Sequence, residues 1–269
     1  MSVTTEKAKP AKKKKFIETV GVVSEMIRET PDTHTIRIRM PNLEDEDKPF
    51  KFLPGQFVMV RPVVNGKLLP RAYSISSSPV RSLGSNGDGE DGYYDLTVRE
   101  TDDPQVSLWM NQRKVGDEIV FRGPYGKFVW TEDDPEAEQI FMLGGGSGIA
   151  PLKSIYEYLE DKGLTNKIKL LYSSISVKDI ILHERLLELE RNVPGSKVVF
   201  TVTREPENSD WHGGRGRIDP DLIQRELEGY DINKTKAYIC GNPSFVETMS
   251  NYLQELGFGK DQILHEKWD

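Results

Sequence analysis

The chain has 269 residues, a net charge of −7, 36% hydrophobic residues and 29% charged residues. That length predicts two ordinary domains with separate cores, and no apolar run approaches the roughly 18 residues a bilayer span needs, so no integral membrane segment is expected. The single cysteine, Cys240, excludes an internal disulfide, a thiolate-bound zinc site and a four-thiolate iron–sulfur cluster, which leaves redox chemistry to an organic cofactor or a partner.

Four scattered histidines show no ligand-like spacing, and no metal site is expected. Residues 1–15 carry Lys7, Lys9 and Lys12 through Lys15 and read as a disordered, solubilising tail, with attraction to nucleic acid or an anionic surface as the sharper alternative. Because no apolar signal segment precedes this tail, a cytoplasmic location is expected; no nucleic-acid partner is expected for the acidic body, and a monomer or weak dimer is the expected state.

Residues 16–133 carry a β pattern. Residues 19–26 and 33–40 read as a hairpin about Pro31-Asp32, followed by strands at 55–61, 71–75, 94–99 and 118–121, with a turn at Asn65-Gly66. Short strands punctuated by Gly and Pro predict an antiparallel Greek-key β-barrel. Within it, Arg71-Ala72-Tyr73-Ser74 puts a guanidinium and an aromatic ring on one face of a strand and a hydroxyl on the other. Read alone, the stretch is equally a ligand clamp and a barrel strand with a surface arginine. A short helix with Ser107 as N-cap interrupts the strands, either as a connector or as an anion site at its N-terminus.

From residue 134 to 269 strands alternate with helices. Strands are read at 139–143, 168–172, 197–203, 237–240 and 262–268, and helices at 149–161, 177–191, 220–227 and 244–256. This predicts a doubly wound, five-stranded parallel sheet with flanking helices, whose ligands bind beyond the carboxyl ends of the strands. Gly144-Gly145-Gly146-Ser147-Gly148 ends the first of these strands, where glycines let a backbone approach a pyrophosphate or simply turn tightly into a helix. Thr203-Arg204, Cys240-Gly241-Asn242-Pro243 and the C-terminal Glu266-Lys267-Trp268-Asp269 converge on the same rim.

A β domain bearing Arg-Ala-Tyr-Ser at 71–74, followed by an α/β domain bearing Gly-Gly-Gly-Ser-Gly-Ile-Ala-Pro at 144–151 and Cys-Gly-Asn-Pro at 240–243, resembles the ferredoxin-NADP reductase superfamily, and within it the bacterial-type ferredoxin/flavodoxin-NADP reductases. The resemblance implies FAD on the first domain, contacted by Arg71, Ala72, Tyr73, Ser74, Val98 and Ser107, with Ser74 near flavin N5. It implies NADP(H) on the second, contacted by Gly145, Gly146, Ser147, Gly148, Thr203, Arg204, Arg217, Cys240, Gly241 and Pro243. Cys240 would lie beside the nicotinamide, Glu266 would serve a proton relay, and Trp268 would cover the flavin. The second strand ends Tyr172-Ser173-Ser174-Ile175 without the carboxylate an NAD site commonly places there, while Arg204 and Arg217 match binders of a 2′-phosphate. The implied activity is hydride transfer between NADPH and FAD with a ferredoxin or flavodoxin as electron carrier. An oxygenase reductase component, a flavin or quinone diaphorase and a non-catalytic electron-transfer subunit are the alternatives.

Overall fold

The computed structural model describes residues 17–40, 49–101, 104–134 and 137–268; the lysine-rich tail and Asp269 lie outside the described residues. β1 (Ile17–Thr30) and β2 (Thr33–Arg39) form the hairpin about Pro31-Asp32. β3 (Phe57–Val60) leads into the two-residue strands β4 (Val63–Val64) and β5 (Lys67–Leu68). Their turn needs left-handed backbone at Asn65 (φ 51°) and Gly66 (φ 75°), the geometry that suits the twist of a tight hairpin. β6 (Arg71–Ser74), β7 (Tyr94–Arg99), α1 (Gln105–Asn111) and β8 (Glu118–Tyr125) complete this half.

The six-stranded antiparallel sheet runs in the order β6-β3-β8-β1-β2-β7. A bridge between Ile75 and Leu96 joins its two edges and all but closes the barrel, one residue beyond β6. Ile36, Ile38, Val58, Val60, Leu96 and Phe121 fill the interior. Ser107 does not cap α1: Pro104, with its constrained φ, occupies that position, and Ser107 is buried inside the first turn, where its Oγ accepts from the Thr101 N–H at 3.2 Å.

The second half is built from β9 (Gln139–Gly145), α2 (Ile149–Asp161), β10 (Lys167–Ser174), α3 (His183–Asn192), β11 (Ser196–Val202), β12 (Gly214–Arg215), α4 (Pro220–Glu226), β13 (Thr235–Gly241), α5 (Pro243–Glu255) and β14 (Ile263–Lys267). All pairings are parallel, in the order β12-β11-β10-β9-β13-β14. The five expected strands are present, but the sheet has six: β12 is two residues long and too short to leave a periodic signal. Alternation along β9 sends Ile140 and Met142 toward α2 and α3, and Phe141 and Leu143 toward α4 and α5, so helices cover both faces. The helix expected over 177–191 is broken. A 3-10 turn at Val177–Asp179, capped by Ser176, gives way to Leu182 in the left-handed region (φ 59°) before α3 begins, because Ile180, Ile181 and Leu182 are drawn into the core. No helix among the described residues is long and apolar enough to cross a membrane.

Candidate active site

In the parallel sheet, the chain leaves β9 toward one face and β13 toward the other, which opens a crevice at their carboxyl ends. The glycine run lies in it. A Cβ on Gly148 would stand 2.2 Å from the Cys240 carbonyl oxygen, so the loop lies flush against the end of β13. A Cβ on Gly145 would meet the Phe245 ring at 3.1 Å, whereas Gly146 (φ 54°) faces open space toward Arg99. The run therefore serves packing at Gly145 and Gly148 and backbone exposure at Gly146. The Tyr172 hydroxyl fixes the turn by donating to the Gly146 carbonyl at 2.9 Å.

A cavity of about 720 Å³ opens between this loop and the barrel. Of the expected residues, Arg71, Gly145, Gly146, Ser147, Thr203 and Trp268 line it. Arg204 lines a neighbouring hollow of about 690 Å³ with Lys178 and Glu205, and Arg217 is exposed and lines neither. Sequence reasoning missed Arg99, Thr101, Asp179, Asn242 and Phe245 in the cavity wall. Arg99 is held by Asp32, its Nε donating to Oδ2 at 2.8 Å. Burial pushes the Asp32 carboxyl up, but hydrogen bonds from Thr30, Arg99 and Thr33 outweigh it and hold the carboxyl below its ordinary value. Asp179 accepts from the Ser176 N–H at 3.1 Å and Oγ at 2.6 Å, both at Oδ2. The spacing from Ser176 to Asp179 is a capping-box signal that was present in the sequence.

Register sets the two faces of β6. Arg71 and Tyr73 lie opposite Val60 and Val58, which point into the barrel, while Ala72 and Ser74 lie opposite Met59 and Phe57. Tyr73 packs on the barrel core, and burial pushes its hydroxyl up to about 12. Val98 is buried in the same core, so only its main chain is free for the contact assigned to it. On the other face the Phe57 ring meets Trp268 edge-on, with centroids 5.7 Å apart. The Trp268 main-chain N–H donates to the Gly241 carbonyl at 3.0 Å, and its indole lies against the Cys240 thiol, which is fully buried. Cys240 and Glu266 are register partners in β13 and β14. Burial, and then the charge of Glu266, push the thiol well above its ordinary value; burial raises the Glu266 carboxyl to about 7. Ser74, Phe57, Trp268, Cys240 and Glu266 thus form one contact path from barrel to sheet. Pro243 begins α5 behind the Asn242 cap, clear of the cavity.

Ser74 Oγ and Glu266 Oε2 are buried without a hydrogen-bond partner, and Trp268 Nε1 has only the Cys240 thiol against it. Such groups are rare in native interiors, and their occurrence along one path makes it the candidate place for a ligand with polar edges.

Residues 20–130 match the family model described as the oxidoreductase FAD-binding domain, and residues 142–251 match the oxidoreductase NAD-binding domain. NADH-cytochrome b5 reductase 1 of Dictyostelium discoideum is 30% identical, over 86% of this chain and 76% of that protein. The glycine betaine monooxygenase reductase subunit of Chromohalobacter salexigens is 28% identical over 90% of this chain, which spans 62% of that relative. In fold, the chain is similar to a ferredoxin NADP+ reductase from Neisseria gonorrhoeae with bound FAD and NADP, with a TM-score of 0.75 and 24% identity, covering 93% of this chain and 98% of that one. The orphaned polar atoms and the open Gly146 turn fit the two groups for which the matched domains are described.

Two outcomes follow from this geometry. Gly148→Ala drives a methyl into the end of β13 and is expected to cost about 1–3 kcal/mol in thermal or urea unfolding and to weaken nucleotide binding at the loop, read by calorimetric titration. Glu266 binds its proton more tightly folded, at about 7, than its ordinary value of 4.5 allows, so its stabilisation is complete below that ordinary value and is lost as pH rises through the folded one. The stability of Glu266→Gln relative to the parent is therefore expected to rise by about 1–3 kcal/mol between roughly pH 5 and pH 8, measured by urea unfolding of the FAD-loaded protein.

Proposed function

The chain belongs to the ferredoxin-NADP reductase superfamily of FAD- and NAD-binding oxidoreductases, and on that premise we propose that it passes reducing equivalents between a nicotinamide coenzyme and a protein electron carrier by way of FAD. The observation that carries this reading is the continuous path from Ser74 through Phe57 and Trp268 to Cys240 and Glu266, which joins the two matched domains and meets the cavity wall at Trp268. Bound FAD supplies the chemistry, since flavin accepts two electrons as a hydride and releases them singly.

The chain's own residues supply binding and alignment. Arg71 and Arg99 offer guanidinium forks to phosphate oxygens at the cavity wall. Ser74 offers its unpartnered hydroxyl to the flavin edge, and Ser147 with the Gly146 turn receives the coenzyme phosphates. Trp268 shields the Cys240 face from water until a nicotinamide takes its place. Glu266, poised near neutrality, holds or releases one proton beside that face.

The expectation of NADPH rested on Arg204 and Arg217. A different weight comes from Asp179, which lines the cavity after β10 with Oδ2 committed to Ser176 and Oδ1 left for a ribose hydroxyl. A carboxylate there accepts the 2′-hydroxyl and repels a 2′-phosphate, and NADH is the donor it favours. The acceptor is a one-electron carrier such as a ferredoxin or flavodoxin, with Lys67 and Arg71 exposed as steering charges. Arg81 is not available for that role, because it is paired with Asp161 and Glu160. The reading as an oxygenase reductase component has support from the Chromohalobacter salexigens relative, itself a monooxygenase reductase subunit.

Anaerobic titration of the yellow protein with NADH and NADPH tests the reading; a flavin bleached by neither overturns it. Ser74→Ala is expected to slow flavin reduction in stopped flow by about 10–100-fold while FAD stays bound. Asp179→Asn is expected to raise the ratio of kcat/KM for NADPH over NADH by about tenfold, with no change in the reduction rate at saturating NADH.

A further inference from the structure

We propose that the charged cluster between the barrel and the C-terminal half of α2 is the positioning device of the active site, with Arg81 and Glu157 as positioning residues that set the glycine loop against the flavin strand. The proposal rests on the hydride-transfer reading above. It assigns a role to residues that line no part of the nucleotide cavity and face a separate interdomain hollow of about 880 Å³.

α2 has two ends with different attachments. At its N-terminus, Gly146–Gly148 form the turn that runs straight into Ile149 and lies flush on Cys240. Along its remaining turns, Lys153, Ser154 and Glu157 are buried at 4%, 0% and 4% exposure, although two of them are charged. Ser154 and Glu157 are bonded to residues that follow β6. Ser154 Oγ donates to the Ser77 carbonyl at 2.7 Å, and the Ser78 N–H donates to Glu157 Oε2 at 2.8 Å. Arg81 donates from Nε to Asp161 at 2.8 Å and pairs through Nη2 with Asp161 at 2.6 Å, Glu160 at 3.4 Å and Glu157 at 4.0 Å.

Every neighbouring element adds a charge to the same knot. Lys153 reaches Glu157 at 3.0 Å and Asp95 of β7 at 3.9 Å, and Asp95 is in turn paired with Arg37 of β2 at 2.9 Å. Arg185 of α3 pairs with Glu157 at 3.1 Å and with Glu160 and Glu188. Burying charges gains little stability over an apolar contact of the same volume, since desolvation offsets the attraction. What the pairs add is direction: each bond fixes the rotation and height of α2 in a way that leucines would not. A 13-residue helix is about 20 Å of stiff rod, so a small tilt at the Arg81 end reappears at the glycine loop. The alignment between nucleotide loop and Ser74 is thus set on the side of the helix away from the reaction, by residues three to seven positions beyond β6.

Arg81 is the place to test this, since its side chain is 32% exposed and its loss leaves the barrel core intact. The FAD-loaded parent is compared with Arg81→Ala and with Arg81→Lys. Hydrogen exchange is read at the amides of residues 76–81 and of residues 145–149. Coenzyme Kd and the rate of flavin reduction at saturating coenzyme are read in parallel. For Arg81→Ala the expected result is faster exchange at both segments, a fall of about tenfold in the reduction rate and a coenzyme Kd within about twofold of the parent. The lysine variant, which keeps the charge, restores most of the loop protection and of the reduction rate. Exchange confined to residues 76–81, with the loop and the reduction rate unchanged, overturns the proposal and leaves Arg81 a local structural contact. A weaker Kd with an unchanged rate overturns it as well. If neither nucleotide reduces the parent, the hydride reading fails by itself, and exchange at the glycine loop still decides whether α2 transmits the change.

Discussion

The hydrogen bond from the Ser78 amide to the Glu157 carboxylate crosses from barrel to helix, and the geometry of the cavity depends on it. Glu157 is buried, and burial alone would push its carboxyl up; Lys153, Arg81, the Ser78 N–H and Arg185 together hold it below its ordinary value. A carboxylate kept ionised in an interior accepts hydrogen bonds more strongly than a neutral acid, and its cations come from three directions. The result is that the strand bearing Ser74 and the helix rooted in the glycine loop share one fixed point. Two sheets of unrelated architecture, an antiparallel barrel and a parallel open sheet, are thereby related by more than their linking segment.

Much of this was legible in the amino-acid order because the deciding interactions are local. Alternation placed Ser74 opposite Tyr73 across β6, and the glycine run between an apolar strand and a helix marked the crevice. What escaped was either too short or too distant in sequence. β12 has two residues and no period; the break after Val177–Asp179 follows from packing of Ile180 to Leu182, which a helical pattern also accommodates. Arg99 looked like the polar end of a strand, and only the fold brings it to Asp32, 67 residues away. Arg204, which follows the third strand of the parallel sheet, fell into the neighbouring hollow, while Asp179, five residues past β10, entered the cavity. Short-range rules identified the motifs; which of them share a wall was decided by register and crossover.

The orphaned atoms at the junction carry a further meaning for the fold. A buried polar group without a partner costs about 1–3 kcal/mol, and Ser74 and Glu266 each hold one. A ligand that satisfies them recovers that cost on binding, so occupancy and stability are coupled at the seam between the two halves. The same seam carries a carboxyl and a thiol both raised by burial: the thiol stays neutral, while the carboxyl, at about 7, gains or loses its charge near neutral pH.

Cys240 is the only cysteine in the chain; its main chain lies flush against Gly148, and its buried thiol lies against the Trp268 indole. The indole belongs to the end of an edge strand. A thiol buried this fully reacts with a modifying reagent only when its cover moves, so mass gain at Cys240 reports, in proportion, how often the end of that strand lifts, with no label added to any other residue.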